Sequence, residues 1–398
     1  MVSFPSLRRI TASGAYLPEI DGLRFMAIFA VLVFHVLLLS QTYMGYYALP
    51  SNAFAHFTYD LMLNGRYGVP VFFAISGFIL GLPFAKQYLN GGKKIGFGPY
   101  LMRRVTRLEP PYILSLLIRT GPVMAAKGYT FLWILPHLLA SIFYLDMAIY
   151  RDYPVVQLVA WSLEIEIQFY LLIFLLAPLL FRAKATLRRC VFVFALFLPG
   201  TVQYYLWNYT GLSHHDLFFY SIGVWIQFFL AGMLVADIFV TDLGRIPSTW
   251  LWDVLSAVVW IVFFIVPDGG SQVFGPAMLV LLLLGAFKGK VFRWFYSLSP
   301  ISIIGGMCYS IYLTHSLVLQ ALAFAYYKMA PRDPSYLRFV VSILIFIPLL
   351  IAAGAVFFVL IERPCMDRRW PQKLLAFLSG KREAPKKQAV TVDASLPR

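Results

Sequence analysis

Long apolar runs are the feature that most constrains how this chain of 398 residues can fold. Ten of them approach the length of about 17–25 residues that an α-helix needs to cross a lipid bilayer. They occupy residues 22–41, 67–87, 108–125, 160–181, 190–207, 217–239, 250–266, 272–287, 301–327 and 338–361. The pattern predicts an all-α polytopic integral membrane protein with about ten transmembrane helices.

The composition excludes a soluble protein. Of all residues 60% are hydrophobic and 13% are charged, whereas about 25% are charged in an average soluble domain. The net charge of +15 would also suit a nucleic-acid-binding protein. Because acidic residues are few and most basic residues lie in short loops and the tail, we interpret the charge as topogenic, with the lipid bilayer and no nucleic acid as the partner. Cys190, Cys308 and Cys365 lack the paired spacing of a disulfide framework or a zinc site.

The loop charges predict the orientation of the chain in the membrane. If the N-terminus is cytoplasmic, the inner segments contain 26 of the 33 Lys and Arg residues. Such a bias places both termini in the cytoplasm and indicates a multi-pass protein of the plasma membrane, the inner membrane in a bacterium. We expect a cytoplasmic N-terminal segment (1–21), one membrane domain (22–363) and a basic, disordered cytoplasmic tail (364–398).

Two segments need separate interpretations. Arg8 and Arg9 precede the first apolar run, as in a signal peptide, but Asp21 and Arg24 stand directly before that run and no small-residue cleavage site follows it. We therefore expect an uncleaved first helix. Residues 131–145 are apolar, short and interrupted by a proline, which favours an interfacial or re-entrant helix.

The first apolar run contains two ionisable residues, Arg24 and His35. Eleven positions correspond to a rotation within about 20° of the same helix face and to roughly 16 Å along the axis. Ionisable groups inside a bilayer are costly and indicate function by default. The alternative is that Arg24 is a snorkelling topogenic charge and His35 a hydrogen-bond donor between helices.

The fourth run places Glu164 and Glu166 in its first two turns. Entering from outside, this helix brings a carboxylate close to the depth of His35, and a carboxylate can orient an imidazole as an acid–base partner. The two glutamates are about 200° apart on a helix, so only one of them can face a common cavity. The other one can reach the membrane interface.

The inner segment before the third run contains Arg103, Arg104 and Arg107. Three guanidinium groups can bind phosphate, although inner loops are commonly basic for topogenic reasons alone. We expect the following pair, Pro110 and Pro111, to break or bend the helix.

Other polar groups in the runs allow packing interpretations. His315 lies near Tyr312 on one helix face, and Ser76 belongs to a Ser-Gly pair where helices can approach closely; for both segments we favour packing. The remaining histidines lack a metal-ligand pattern, so we predict no metal site; they are His56, His137, His214 and His215.

Six stretches, in order along the chain, resemble motifs of acyltransferase family 3, membrane proteins that O-acylate cell-surface polysaccharides and related glycans. The Arg24–His35 spacing resembles that family's Arg-x10-His signature, and W-S-L-E-I-E-I-Q-F-Y aligns Glu166 with its key carboxylate. The six stretches are D-G-L-R to His35 (21–35), F-F-A-I-S-G-F-I-L (72–80), R-R-V-T-R-L-E-P-P-Y (103–112), W-S-L-E-I-E-I-Q-F-Y (161–170), Y-S-I-Y-L-T-H (309–315) and E-R-P (362–364).

The resemblance implies an O-acetyltransferase that uses cytoplasmic acyl-CoA, usually acetyl-CoA, as donor substrate and has no permanently bound cofactor. It implies that His35 is the general base and that Glu166 orients it; a covalent acyl-histidine carrier is the alternative. Phosphates of coenzyme A would bind Arg24, Arg103, Arg104 and Arg107. Supporting positions are Asp21, Ser76, Tyr112, Trp161, Tyr312 and His315.

The resemblance also implies the acceptor class, a hydroxyl of a glycan, a lipid-linked sugar or a small molecule. Two positions depart from the family pattern: Glu109 replaces an aromatic residue and Ile167 a second acidic one. Since no esterase-like domain follows the tenth run, we expect the membrane domain or a separate extracytoplasmic partner to handle the acceptor.

Two other classes of protein place ionisable residues inside a membrane. A proton-coupled transporter would also need intramembrane His, Glu and Arg residues, but it does not account for the ordered motifs. A membrane-bound O-acyltransferase of the unrelated type would need an Asn or Asp partner for a late histidine, and His315 has none nearby in the sequence.

Overall fold

The computed structural model describes residues 7–9, 16–44, 53–209, 217–265, 268–329, 336–367 and 370. Regular structure in these residues is helical, with no β-strand. The helices are α1 (Pro18–Met44), α2 (Ala53–Leu63), α3 (Gly68–Leu89), α4 (Phe97–Lys127), α5 (Phe131–Ile142), α6 (Asp146–Tyr150), α7 (Trp161–Phe181), α8 (Ala185–Tyr209), α9 (Ile226–Thr241), α10 (Leu251–Ile265), α11 (Asp268–Lys288), α12 (Val291–Ser297), α13 (Ser299–Gly306), α14 (Cys308–Met329), α15 (Tyr336–Phe357) and α16 (Arg363–Cys365).

The predicted all-α membrane fold is confirmed. Each of the ten apolar segments overlaps one of these helices, and in the described residues seven helical stretches are long and apolar enough to cross a membrane. The other three predicted segments, 108–125, 217–239 and 250–266, lie in helices outside that set of seven. The total of ten spans and the cytoplasmic termini therefore stay predictions.

Two of the predicted segments are not single α-helices. Helix α9 begins only at Ile226, because the residues before it form two short 3₁₀ turns. The Ser221 side chain accepts a hydrogen bond from the Gly223 backbone N–H (3.2 Å), and the Ile222 N–H donates to Gln168 Oε1 (2.8 Å). Segment 301–327 is divided at Met307 into α13 and α14.

Of the two expected effects of Pro110 and Pro111, a helix break is wrong, because α4 continues through both prolines; a bend there stays a prediction. Pro110 has no N–H to donate to the carbonyl group four residues earlier, which is that of Thr106. The indole Nε1–H of Trp370 donates to the Thr106 oxygen instead, at 2.9 Å. This contact shows how a carbonyl group exposed by a proline is satisfied by another segment of the chain.

Helices α3 and α9 cross at very close range through two glycines. A Cβ atom on Gly77 would overlap the backbone of Phe229, and one on Gly232 would overlap the carbonyl oxygen of Ala74. Small residues allow this approach, which gives extensive van der Waals contact where no hydrophobic effect drives helices together. The crossing fixes the part of α3 that contains Ser76.

Helix α1 lies between two buried apolar clusters. In one cluster, side chains of α1 pack against α3, α7, α9 and α11; in the other, side chains of α1 pack against α14 and α15. A third cluster joins α4, α5 and α14. The functional cavity described below lies between α1, α3, α4, α7 and α14, where these clusters meet.

The interfacial segment 131–145 contains α5, a helix of 12 residues. Its length is well below the roughly 20 residues that span a bilayer, so it agrees with the non-spanning interpretation. Beyond position 370 the predicted tail lies outside the described residues. His214, His215 and most of the N-terminal segment 1–21 also lie outside them.

Candidate active site

Five helices surround a cavity with a volume of about 150 Å³. Basic side chains line one part of it, and two histidines and a glutamate line another part. Much of the remaining wall is aromatic and comes from α3, α7 and α14. The polar lining residues are Arg9, Arg24, His35, Ser76, Arg104, Arg107, Ser162, Glu166, Tyr170, Tyr309, Tyr312 and His315.

Asp21 holds two arginines at the basic end of the cavity. Its carboxylate contacts Arg24 Nη1 at 2.6 Å and Arg9 Nε at 3.3 Å, and the side chain is buried. Burial, with the neighbouring Arg24 charge as a second cause, lowers the pKa of Arg9 to about 10, so Arg9 stays charged at neutral pH. Sequence reasoning treated Arg9 only as a topogenic charge, because nothing in the pattern shows that the chain folds back toward α1.

Helix α4 directs two of its three clustered arginines into the cavity. Arg104 lies over the rings of Tyr100 (5.8 Å) and Tyr170 (5.6 Å) in cation–π contacts. Arg107 Nη2 lies 3.5 Å from Glu362 Oε1. Arg103 is exposed and does not line the cavity, so the structure does not bring it together with the other predicted phosphate ligands.

Glu362 is a buried carboxylate that fixes Arg107 from the C-terminal side. Its Oε2 accepts a hydrogen bond from Ser310 Oγ at 2.6 Å, and the side chain is fully enclosed. Glu362 belongs to the E-R-P stretch (362–364), which resembles a family motif but to which the sequence alone assigned no role. A 3.5 Å contact is long for a hydrogen bond, so we read the Arg107–Glu362 pair mainly as electrostatic.

His35 is fixed by its own helix. Its Nδ1 lies 2.8 Å from the carbonyl oxygen of Val31. A carbonyl can only accept, so Nδ1 carries the proton and Nε2 has the free lone pair. The side chain lines the same cavity as Arg24, as their common helix face predicted.

Glu166 also lines the cavity, with one oxygen bound by two hydroxyl groups. Ser76 Oγ donates to Oε1 at 2.5 Å and Tyr170 OH donates at 2.9 Å. Among the described residues, no hydrogen bond joins Glu166 to His35. Each group is bound by partners on or beside its own helix, and the orienting role of Glu166 stays a prediction.

Glu164 lies on the other side of α7. Its Oε2 accepts a hydrogen bond from the Met147 N–H at 3.1 Å, and the side chain is buried away from the cavity. The sequence allowed Glu164 to reach the membrane interface, but its side chain is buried. The angular separation of the two glutamates on one helix explains why they enter different environments.

His315 shares the cavity with His35. The two imidazole rings lie 4.9 Å apart between centroids at an interplanar angle of 67°. His315 Nδ1 lies 2.7 Å from the Tyr312 oxygen and 3.2 Å from the Ile311 oxygen. The packing interpretation favoured for this segment misses the contact, because residues 280 positions apart in the chain give no local signal of it.

The remaining predicted residues divide between the cavity and its surroundings. Trp161 and Tyr312 line the cavity, and Tyr312 OH contacts the Val159 oxygen and Ser162 Oγ. Tyr112 is buried elsewhere, where it donates to the Ser141 oxygen at 3.1 Å and stacks on Tyr144. Tyr170 was not predicted, although its position four residues after Glu166 on a helix could have indicated the contact.

The fold and this cavity define a multi-pass membrane protein with an internal polar site. Its family follows from comparison: a family model described as an acyltransferase domain matches residues 17–363, and the chain belongs to acyltransferase family 3. The predicted family is therefore confirmed.

Relatives in Staphylococcus aureus have similar sequences. The O-acetyltransferase OatA of strain NCTC 8325 is 27% identical over 332 residues, which are 76% of this chain and 50% of that protein. A putative O-acetyltransferase of strain COL is 22% identical over 356 residues, 82% of this chain and 54% of the relative. The chain thus spans about half the length of these curated relatives. No solved structure matches it.

Proposed function

We propose that the protein is a membrane O-acetyltransferase that moves an acetyl group from acetyl-CoA to a hydroxyl group of a cell-surface glycan. The observation that carries the proposal is one cavity lined by Arg24, Arg104 and Arg107 and also by His35. Family membership and the names of the relatives support the reaction class. The cytoplasmic donor, the plasma-membrane location and the glycan acceptor are parts of the proposal.

The arginines would bind the phosphates of coenzyme A. Guanidinium groups form charge-assisted hydrogen bonds with phosphate oxygens, and Arg9 and Arg24 are held together by Asp21. Arg104 and Arg107 approach from α4. The pantetheine arm would then extend along α1 toward His35, roughly 16 Å from Arg24 in helix rise.

His35 would act as the general base. Its Nε2 lone pair would take the proton of the acceptor hydroxyl while the hydroxyl oxygen attacks the thioester carbonyl carbon. The carbon–sulfur bond then breaks, and the coenzyme A thiolate leaves and takes the proton from His35 Nε2. Glu166 would stabilise the transient positive charge of the imidazole through space, since its hydrogen bonds go to Ser76 and Tyr170.

The acceptor would approach from the side of the cavity opposite to the arginines. Aromatic side chains at the start of α7 surround this side, where Trp161 contacts Tyr153 and Trp225. A lipid-linked sugar or a small hydroxyl compound would react by the same chemistry; a cell-surface glycan is the acceptor that we propose. Either the membrane domain itself or a separate extracytoplasmic partner would handle the acceptor.

Purified protein in liposomes tests the proposal directly. We expect release of coenzyme A thiol from acetyl-CoA to depend on an added sugar acceptor, and mass spectrometry of surface glycans to show an acetyl ester that disappears when the gene is deleted. Proton flux without consumption of acetyl-CoA would instead identify a transporter, and would overturn the proposal.

A further inference from the structure

His315 contains a buried polar atom that the proposed reaction leaves unused. Its Nε2 has no hydrogen-bond partner among the described residues, and the side chain is fully enclosed although it lines the cavity. Buried polar atoms are nearly always hydrogen-bonded, so an unsatisfied one calls for an explanation. The nearest ring is the imidazole of His35, whose centroid is 4.9 Å away.

The backbone contacts assign the same tautomer to both histidines. Each Nδ1 faces a carbonyl oxygen of its own helix, that of Val31 for His35 and that of Tyr312 for His315. Both Nδ1 atoms are therefore donors and both Nε2 atoms are acceptors. Two acceptors cannot bond each other, so Nε2 of His35 cannot satisfy Nε2 of His315 while both rings are neutral.

We propose that His315 is a positioning residue that accepts a hydrogen bond from Nε2–H of His35 once His35 has taken the proton of the acceptor hydroxyl. The inference rests on the proposed acyl transfer. Ring centroids at 4.9 Å permit a hydrogen bond of ordinary length when a small rotation turns the two nitrogens toward each other. The proton enters at His35, is shared by the pair while the carbon–sulfur bond breaks, and leaves on the thiolate sulfur.

This hydrogen bond exists only while His35 is charged. It stabilises the protonated intermediate and the transition states beside it without strengthening substrate binding, which is the condition for raising kcat. His315 thus takes the place that the sequence assigned to Glu166 as the direct partner of the base. Other titratable groups lining the cavity are Arg9, Arg24, Arg104, Arg107, Glu166, Tyr170, Cys308, Tyr309 and Tyr312.

Two variants of one position test the role. His315→Leu removes the acceptor and keeps an apolar side chain, whereas His315→Gln keeps an amide oxygen that can accept. We expect the Leu variant to lose about 10- to 100-fold in kcat, the range for a hydrogen bond to a charged group, with KM for acetyl-CoA unchanged. The Gln variant should retain most of the rate, and the Leu change should add no loss in a His35→Ala background. A Leu variant with wild-type kcat, or equal losses in both variants, would overturn the inference.

A measurement without turnover separates this inference from the proposed function. The chain has only six histidines, so ¹⁵N-labelled imidazoles can be followed by solid-state NMR in bilayers. On acidification we expect the Nε2 signals of His35 and His315 to change together, because one proton is shared between them. Independent changes would refute the pairing, whereas a protein that pairs the rings but consumes no acetyl-CoA would refute only the acyl transfer.

Discussion

At the scale of single residues, the cavity depends on side chains whose reactive atoms are left free by contacts elsewhere. The Val31 carbonyl binds Nδ1 of His35, so Nε2 is free to act as a base. Ser76 and Tyr170 bind Oε1 of Glu166 and hold its charge toward the cavity. Such pre-positioned groups need little reorganisation during a reaction.

Replacing His35 by alanine should abolish acetyl transfer and preserve binding of acetyl-CoA. A general base contributes typically about 10²- to 10⁴-fold to the rate, and the arginines that would bind the donor are untouched. Turnover and donor affinity are measured on the same liposome preparation. His56 is exposed on α2, so His56→Ala is a matched control that should keep full activity. A His35→Ala rate within a few-fold of wild type would make His35 a packing residue.

The two glutamates of α7 should differ in their effect on turnover. Glu166→Gln removes a charge from the cavity and should reduce kcat by about tenfold or more, the effect of losing one charged interaction. Glu164→Gln alters a buried contact to Met147 outside the cavity and should change kcat by less than about twofold. Kinetics of both variants under saturating donor give the comparison, and the reverse ranking would contradict the placement of Glu166 as the cavity carboxylate.

The sequence predicted residues that act through one helix better than residues that meet across helices. The Arg24–His35 face and the divergence of Glu164 and Glu166 follow from helical geometry alone. The roles of Arg9, Glu362 and His315 depend on segments that meet only after folding. For the same reason, the sequence did not show that Arg103 is exposed or that Tyr112 lies away from the cavity.

At the scale of elements, helix α4 selects which arginines reach the cavity. Arg104 and Arg107 line the cavity, whereas Arg103 is exposed outside it, although its i, i+4 spacing also places it near the face of Arg107. The helix stays continuous through two prolines because another segment satisfies the freed carbonyl of Thr106. Proline content alone therefore did not show that this helix continues.

The two neighbouring arginines of α4 provide a matched pair for the donor site. Arg104→Gln should weaken acetyl-CoA binding by about tenfold, because charge-assisted hydrogen bonds to phosphate are lost. Arg103→Gln should leave the affinity nearly unchanged, since that side chain is exposed outside the cavity. Titration calorimetry or competition binding in detergent gives both values. Equal effects of the two changes would indicate a general surface-charge effect and no defined phosphate site.

The α3–α9 crossing should tolerate no added methyl group. In Gly232→Ala the new Cβ would overlap the Ala74 carbonyl oxygen, and forcing extra volume into a packed interface costs about 1–3 kcal/mol. We expect a lower temperature of thermal unfolding in detergent and reduced turnover. Gly121→Ala on α4 is the control, because its Cβ would meet no heavy atom of the described residues within 4 Å; alanine also favours helix. If both variants unfold at the wild-type temperature, the close crossing does not contribute to stability.

At the scale of the whole molecule, apolar runs predicted where the helices lie, and tertiary contacts decided where they begin and end. All ten runs overlap helices, since hydropathy reports burial in lipid directly. The start of α9 at Ile226 depends on hydrogen bonds between backbone N–H groups and side chains, which hydropathy does not register. Hydropathy also gave no sign of the break at Met307. The cavity joins five helices from distant parts of the chain, so its shape was beyond any local pattern.

The two ends of the cavity should open to opposite sides of the membrane. In a protein lacking Cys190, Cys308 and Cys365, Arg103→Cys and Asp152→Cys place single thiols at two exposed positions, one at the start of α4 and one in the loop before α7. The loop charges predict that an impermeant thiol reagent labels position 103 from the cytoplasmic side and position 152 from the opposite side.

Sealed vesicles then show whether the transfer crosses the bilayer. Acetyl-CoA should be consumed only when it is supplied on the side where position 103 is labelled, because the arginines of the cavity lie toward that end of α4. The acetylated acceptor should form on the side where position 152 is labelled, since His35 lies roughly 16 Å further along α1 than Arg24. Cys308 lines the cavity, so the Cys-free protein must first be shown to retain turnover. If donor and acceptor are both required on the side of position 103, acetylation takes place on the cytoplasmic face and transfer across the membrane is wrong.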